Sequence, residues 1–412
     1  MIDLLIRNVR IEGDLTPVDL GVDNGRILAR GLNLDYVAAQ EMEGNGRLLI
    51  PGFVESHLHL DIALMNDWQT PGRPEPYRSH YGLNEAMERR RREFTAEDIE
   101  RRASTALEMA SRHGVTALRA QCHVDREVGL KHVEVLQQVK EKYAGRVTVQ
   151  IVTFPQQGLT NHPDNADLFR EAFRIGADVM GGASNLDVGE NGRIDWQVHI
   201  NAAFDLAMEL DVDLDIHADL GIPPTVTLDE LETVYIAQQT IERGYQGRVT
   251  VGHASTLGVA TPEVAAEAIA LIQEAKLNII SQPDLYRLGR EDTHNVRRGL
   301  TRVKELLAAG VNVTYASNNV RDALRPMGNF DLLEEGLILA YGAHMDTVEE
   351  LNTIMRMSTY NAAQALRLPN YGLEPGCTAD FVILDAPTPS AAIIGQVEKM
   401  MVVKNGRVMA TN

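Results

Sequence analysis

Eight short apolar runs, each handing over to a longer polar or amphipathic stretch, limit what this chain can fold into more than any other feature. The runs are LLIPGFVESHLHLD, VTALRAQCHVD, RVTVQIVTF, ADVMGGAS, VDLDIHAD, RVTVGHAS, LNIISQPD and VNVTYASNN. Seven stretches with helical character separate them, from AEDIERRASTALEMASRHG to VRRGLTRVKELLAAG, and FDLLEEGLILAYGAH follows the last run. Several of these stretches end in Gly, a helix stop. Strands that read as near-continuous apolar runs belong to a parallel sheet covered on both faces. Eight of them in β–α alternation predict an α/β fold, a (β/α)8 TIM-like barrel, over residues 51–369.

The two ends of the chain have another texture. LLIRNVRIEGD, VDLGVDNGRILA and EMEGNGRLLI open the sequence, and ADFVILD and KMMVVKNGRVMATN close it. Their DNG, GNG and NG tripeptides are hairpin turns. Neither end holds enough strands for a stable sheet alone. Residues 1–50 and 370–412 are therefore expected to combine into one small β-sandwich module.

Composition narrows the partners. Lys+Arg number 39 against Asp+Glu 58, a formal net charge of -19. Nucleic acid or an anionic membrane would require the opposite sign. No apolar run approaches the roughly 20 residues of a membrane span. The opening stretch carries acidic residues among its apolar ones and no small-residue cleavage site, so it does not read as a signal peptide. Cys122 and Cys377 are the only cysteines, too few for a disulfide framework, and a cytoplasmic setting is expected.

In a barrel of this kind, chemistry gathers where the strands end. The first run ends in His57 and His59, the fifth in His217 and Asp219, the sixth in His253, and the eighth in Asn318 and Asn319; the third leads into Phe154, Gln156 and Gln157. Residues i and i+2 of a strand point the same way, so His57 and His59 are expected to bind one metal ion. His217 completes a three-histidine set, with His253 close enough to bind metal, substrate or the attacking water. Neutral imidazoles suit Zn²⁺ or Fe²⁺, and a cation with one open position lowers the pKa of its water towards about 7. Of the other eight histidines, left as structural, His123 in QCHVD is the one best placed to join the pocket. WQTPGRPEPYRSHYG, with Trp68 and Tyr77, reads either as a pocket-covering loop that sets substrate choice or as a plain surface loop.

PGFVESHLHLD, IHADLG, GRVTVGHAS and NYGLEPGCTADFVIL together resemble the amidohydrolase superfamily, in particular the branch of cytosine deaminase and N-isopropylammelide isopropylaminohydrolase. The likeness covers essentially the whole chain. It implies one metal on a distorted barrel, hydroxide attacking a ring carbon that bears an exocyclic amine, and a homo-oligomer. It makes His57, His59 and His217 ligands, has His253 polarise the attacked centre or orient the hydroxide, and sets Gln156 against a polar edge of the ring. The small-molecule partner would be a pyrimidine, triazine or related nitrogen heterocycle.

Two departures bear on that expectation. Where the family has a metal-binding, proton-shuttling aspartate after strand 8, this chain has Asn318. An amide oxygen coordinates weakly, and a neutral amide takes no proton. Three explanations stand: a deliberate aspartate-to-asparagine change that traps a complex, another base (His253 first, then Asp219 and Asp322), or a relative that binds without hydrolysing. Leu220 stands where cytosine deaminase has a proton-exchanging glutamate, which makes that part of the pocket apolar and favours another ring, unless IHADLGIPP loops in a different register. A cyclic amidase on the same scaffold is the further alternative. No lysine ends the fourth run, where binuclear relatives carry a carboxylated one, so a single ion is expected.

Overall fold

The computed structural model describes residues 1–65, 91–189, 192–283 and 299–411. Trp68 and Tyr77 lie outside them. The N-terminal segment supplies β1 (Ile2–Ile11), β2 (Val18–Asp23), β3 (Arg26–Gly31), β4 (Ala38–Glu43) and β5 (Leu48–Pro51). The last segment adds three more strands, β14 (Phe381–Leu384), β15 (Lys399–Lys404) and β16 (Arg407–Thr411). They join in one mixed sheet, in the order β16-β15-β14-β5-β1-β2-β3, with β4 on β1. The two ends meet where β14 pairs antiparallel with β5, Phe381 opposite Pro51. Leu4, Ile6, Leu20, Val22, Phe381 and Val403 form a small core of their own. The β2–β3 and β15–β16 hairpins turn on Asn24–Gly25 and Asn405–Gly406, all four at positive φ, as such turns require.

The second sheet is the barrel. Its strands are β6 (Phe53–His59), β7 (Val115–His123), β8 (Thr148–Phe154), β9 (Val179–Ala183), β10 (Asp213–Ala218), β11 (Val249–His253), β12 (Asn278–Ser281) and β13 (Asn312–Tyr315). Neighbours pair in parallel, in sequence order. A parallel bridge between Leu58 and Asn318 links the eighth strand's end to the first, and Ser56 Oγ lies 2.9 Å from Thr314 Oγ1 just below it. Every residue of β6, β7, β9, β11 and β12 is buried, as strands covered on both faces must be.

Crossover helices between these strands are α1 (Ala96–Arg112), α2 (Lys131–Tyr143), α3 (Asn165–Ile175), α4 (Trp196–Glu209), α5 (Glu232–Glu242), α6 (Pro262–Glu274) and α7 (Val303–Ala308). Thr95 caps α1, Asp195 caps α4, and Thr261 with Pro262 opens α6, the residue types that satisfy the first free N–H groups of a helix. The helix expected over VRRGLTRVKELLAAG is shorter: residues 299–302 are not helical. Gly299 lies so close to Ile222 that a Cβ there would come within 2.7 Å of Ile222 Cδ1, and Arg302 Nε donates to Leu257 O at 3.0 Å. Contact with the preceding strand loops outweighs helical pattern at that point.

Beyond β13 come α8 (Leu332–Ala343), α9 (Val348–Met357), α10 (Tyr360–Ala365) and α11 (Pro389–Gly395). Ala392 and Ile393 of α11 belong to the large barrel core. The chain passes from terminal sheet to barrel at Gly52, where a Cβ would meet the Thr116 side chain at 2.3 Å. Among the described residues no helix is long and apolar enough to cross a membrane.

Candidate metal centre

The C-terminal ends of β6, β10 and β11 bring four imidazoles together. The His57 and His217 ring centres are 4.5 Å apart, His217 and His253 5.2 Å, His59 and His217 5.3 Å, His57 and His59 5.4 Å, and His57 and His253 6.1 Å. All four rings are buried, and donor atoms of His57, His217 and His253 lie within 4.8 Å of one another. Strand alternation explains the pair on β6, and β10 and β11 lie side by side in the ring of strands.

The ring nitrogens fit a cation. His217 Nδ1 faces Gly182 O at 3.2 Å, so its proton sits there and Nε2 keeps the lone pair. That Nε2 is 3.2 Å from His59 Nε2. A tetrahedral ion at about 2.05 Å from each of two nitrogens separates them by about 3.3 Å. His57 Nε2 is buried with no hydrogen-bond partner, a costly state for a polar atom unless something occupies the cluster. Burial first, then the neighbouring His217, His57 and His123, hold the His59 pKa well below the usual imidazole range, which keeps its lone pair available at neutral pH.

Asn318 is tied by its backbone to both β6 histidines: its N–H donates to His57 O at 3.0 Å, and its carbonyl accepts from His59 N–H at 2.9 Å. Its φ of 59° is one that Asn and Asp tolerate better than most residues. Asn319 turns elsewhere, its Nδ2 donating to Asp322 Oδ2 at 2.5 Å. Asp322 Oδ1 also accepts from Leu324 N–H and Arg325 N–H, both at 2.9 Å. Asp219 is engaged too. Its Oδ1 accepts from Glu232 N–H at 3.0 Å, and its Oδ2 from Thr233 N–H at 3.1 Å and from the Thr233 hydroxyl, so the carboxyl sits on the N-terminus of α5. Burial, and then Glu232, push it up to about 7.

Phe154 stands edge-on to His217 at 4.8 Å, to His59 at 5.1 Å and to His123 at 5.3 Å, an apolar wall against the imidazoles. Gln156, just beyond β8, and Leu220, just beyond Asp219, are half-buried.

Two groups went unread in the sequence. Asp61 Oδ2 accepts from His123 N–H at 2.9 Å, His123 Nδ1 at 2.7 Å and His132 Nδ1 at 2.7 Å. Burial opposes its charge, but His123 and then His132 outweigh it and hold the carboxyl well below the usual range. These three residues could also ligate an ion, yet both Nδ1 atoms aim at Oδ2 itself, where a cation would have to sit; the group reads as a hydrogen-bonded cluster. The second group, Arg119, Gln121 and Asp215, lies beneath His57. Burial raises the Asp215 carboxyl, but its contact with His57 and the charge of Arg119 bring it down to about 2. Part of this had a sequence signal: Arg119, Gln121 and His123 alternate as polar residues in an otherwise apolar strand, as do Asp213, Asp215 and His217.

Fold and cluster together define the class, a parallel barrel carrying a candidate metal-binding imidazole group at its C-terminal mouth. The chain belongs to the amidohydrolase family, whose model matches residues 77–410. It is 30% identical over 411 residues, 99% of this chain and 97% of the relative, to the N-isopropylammelide isopropyl amidohydrolase of Pseudomonas sp. (strain ADP). It is similar to the crystal structure of 5-methylcytosine deaminase from Klebsiella pneumoniae liganded with phosphonocytosine, with a TM-score of 0.89 and 29% identity over 99% of this chain and 98% of that one. It is also similar to N-isopropylammelide isopropylaminohydrolase from Burkholderia multivorans ATCC 17616, with a TM-score of 0.85 and 28% identity over 100% of this chain and 99% of that one. These relatives belong to the branch that the motifs indicate.

Proposed function

We propose that this chain is a metal-dependent aminohydrolase or deaminase that cleaves a C–N bond at an amidine-like carbon of a small nitrogen heterocycle, releasing ammonia or an amine. The observation that carries this reading is the convergence of four buried imidazoles from three strand ends, with His59 Nε2 and His217 Nε2 3.2 Å apart. His57, His59 and His217 would hold one Zn²⁺ or Fe²⁺, with Asn318 beside them as a weak neutral ligand. A cation bound there would supply Lewis acidity and make hydroxide accessible near neutral pH. His253 orients the attacking water or polarises the attacked carbon. With the carboxyls of Asp219 and Asp322 engaged by backbone donors, His253 is the first candidate to take the proton that the family's aspartate would carry. Phe154 keeps the site dry, Gln156 pairs with a polar ring edge, and Leu220 gives an apolar contact where a cytosine-directed site would carry an acid.

Purified protein is expected to hold about one divalent ion per chain, and His57→Ala to lose both ion and turnover. The parent and Asn318→Asp are to be assayed side by side for ammonia or amine release from pyrimidines, triazines and pterins. Turnover that survives complete metal stripping overturns the proposal. Inertness of both proteins on every ring favours a binding-only relative, and turnover only with the aspartate restored marks a disarmed hydrolase.

A further inference from the structure

His57 presents Nε2 to the imidazole cluster, so its other nitrogen must carry the proton if the ring is to ligate a cation. The surroundings of that nitrogen are a chain of buried polar groups from two neighbouring strands. Asp215 Oδ1 lies 3.7 Å from His57 Nδ1. Gln121 Nε2 lies 3.2 Å from the same oxygen and 3.3 Å from His57 Nδ1. The Gln121 NH₂ group is thus a donor within reach of both atoms, while Asp215 Oδ1 stands beyond hydrogen-bond length of Nδ1 and acts on it through its charge. Asp215 Oδ2 accepts from Arg119 Nη1 at 3.0 Å. The guanidinium is fixed in turn by Gln150 Oε1 at 3.2 Å, Thr250 Oγ1 at 3.3 Å and Ala365 O at 3.2 Å. His57, Arg119, Gln121 and Asp215 are all 0% exposed, so no water competes for these contacts.

The opposite tautomer would let Nδ1 accept from the Gln121 amide. It would also turn the Nδ1 lone pair towards a buried carboxylate and place a hydrogen between His57 and His217, where the lone pair is needed, and these two costs outweigh the one bond. We propose that Arg119, Gln121 and Asp215 are positioning residues: a buried carboxylate, oriented by a guanidinium and an amide, holds the His57 proton on Nδ1 and so aims Nε2 at the cation. The inference rests on the metal-binding reading of the site and adds to it the groups that set the ligand's tautomer. Their role carries more weight here because Asn318 supplies no anionic charge. A carboxylate partner raises the basicity of a ligating imidazole, and loss of such a partner typically weakens metal binding 10–100-fold.

The test uses zinc alone, in competition with a chromophoric chelator, on the full-length protein. Asp215→Asn is expected to raise the zinc Kd ten- to a hundredfold. Gln121→Met, which leaves the Arg119–Asp215 pair in place, is expected to raise it several-fold and decides the matter if Asp215→Asn does not fold. Asp213→Asn is the control. Two residues away on β10, Asp213 pairs with Arg248 at 3.0 Å and Arg367 at 2.6 Å, and its loss is expected to leave zinc affinity unchanged. A structural role alone would not fix a proton, so ¹⁵N spectra of histidine-labelled, zinc-free protein, with His57 identified by its loss in His57→Asn, are expected to show Nδ1 protonated. Folded variants that bind zinc within twofold of the parent overturn the inference, as does a His57 proton found on Nε2. Zinc uptake without turnover of any ring sinks the hydrolase reading and leaves this one to be decided by the affinities. A parent that binds no zinc overturns both.

Discussion

Asp187 ties together two strand ends of the barrel mouth, and Asp187→Asn measures what that tie contributes. The residue is buried, and its two oxygens serve four donors. Oδ1 accepts from Thr160 N–H at 2.8 Å and Asn161 N–H at 3.1 Å; Oδ2 accepts from Leu159 N–H at 2.9 Å and His199 Nδ1 at 2.6 Å. The loop it gathers, residues 159–161, follows Gln156, while His199 Nε2 accepts Ala183 N–H at 2.8 Å from the end of β9. An asparagine keeps the shape but has one acceptor oxygen. Whichever way its amide turns, the NH₂ group faces two donors. His199 cannot relieve the conflict by switching tautomer, because Nε2–H would then face Ala183 N–H. Hydrogen bonds to a charged group contribute roughly 1.5–3 kcal/mol each, and two are lost. Relaxation of the loop into water softens the penalty, so about 3 kcal/mol is the expected destabilisation at pH 7, a large part of a typical 5–15 kcal/mol.

The pH dependence follows from the same contacts. Burial raises the Asp187 carboxyl, but His199 and the loop N–H groups outweigh it and hold the pKa below the ordinary 3.8. A carboxyl lowered in the folded state contributes stability that is fully present above its unfolded pKa and lost as pH falls through the folded one. Urea midpoints of parent and variant are therefore expected to differ by a constant amount from pH 7 to about pH 4 and to converge below that. A variant within about 0.5 kcal/mol of the parent at pH 7, or a gap that already closes between pH 7 and pH 5, refutes the reasoning.

Two further perturbations test other joints of the molecule. Gly52→Ala places a methyl 2.3 Å from the Thr116 side chain at the crossing between sheets and is expected to cost about 1–3 kcal/mol by overpacking, seen as a lower Tm; an unchanged Tm would mean the crossing is loose. Asp61→Asn takes the negative charge off the one oxygen that accepts from both His123 and His132 and is expected to cost about 2–3 kcal/mol while the zinc stoichiometry stays near one per chain. A parent holding two zinc ions, falling to one in the variant, would instead identify Asp61, His123 and His132 as a second metal site.

The barrel was legible because eight buried strands leave an apolar signature that helices between them cannot imitate, and the HLH of β6 was legible because strand periodicity puts His57 and His59 on one face. The same periodicity does not extend to the next pair. His217 and Asp219 are also i and i+2, yet β10 ends at Ala218 and Asp219 takes a φ of 55°, which swings its carboxyl onto the first turn of α5. Asn319 follows Asn318 through a similar left-handed step and turns to Asp322. Such turns are set by what the loop meets, and no local pattern announces it. Arg119, Gln121 and Asp215 were missed for another reason. Polar alternation marks each in its own run but does not say what it meets, and only the closing of the ring of strands brings β7 and β10 together beneath His57.

Asn318 joins both lessons. At φ 59° an asparagine sits as easily as an aspartate, and its backbone bonds to His57 and His59 do not depend on the side chain. The fold therefore gives no reason for the missing carboxylate; the difference is one of charge. Asp215, the carboxylate that reaches His57, is paired with Arg119 at 3.0 Å, so that pair adds no net charge. Three imidazoles and an amide would leave a divalent cation with its full charge. Such an ion is a stronger Lewis acid and is held by weaker bonds. Retention of such an ion would then depend on the groups that orient the imidazoles, the Gly182 O hydrogen bond at His217 and the Asp215 charge 3.7 Å from His57.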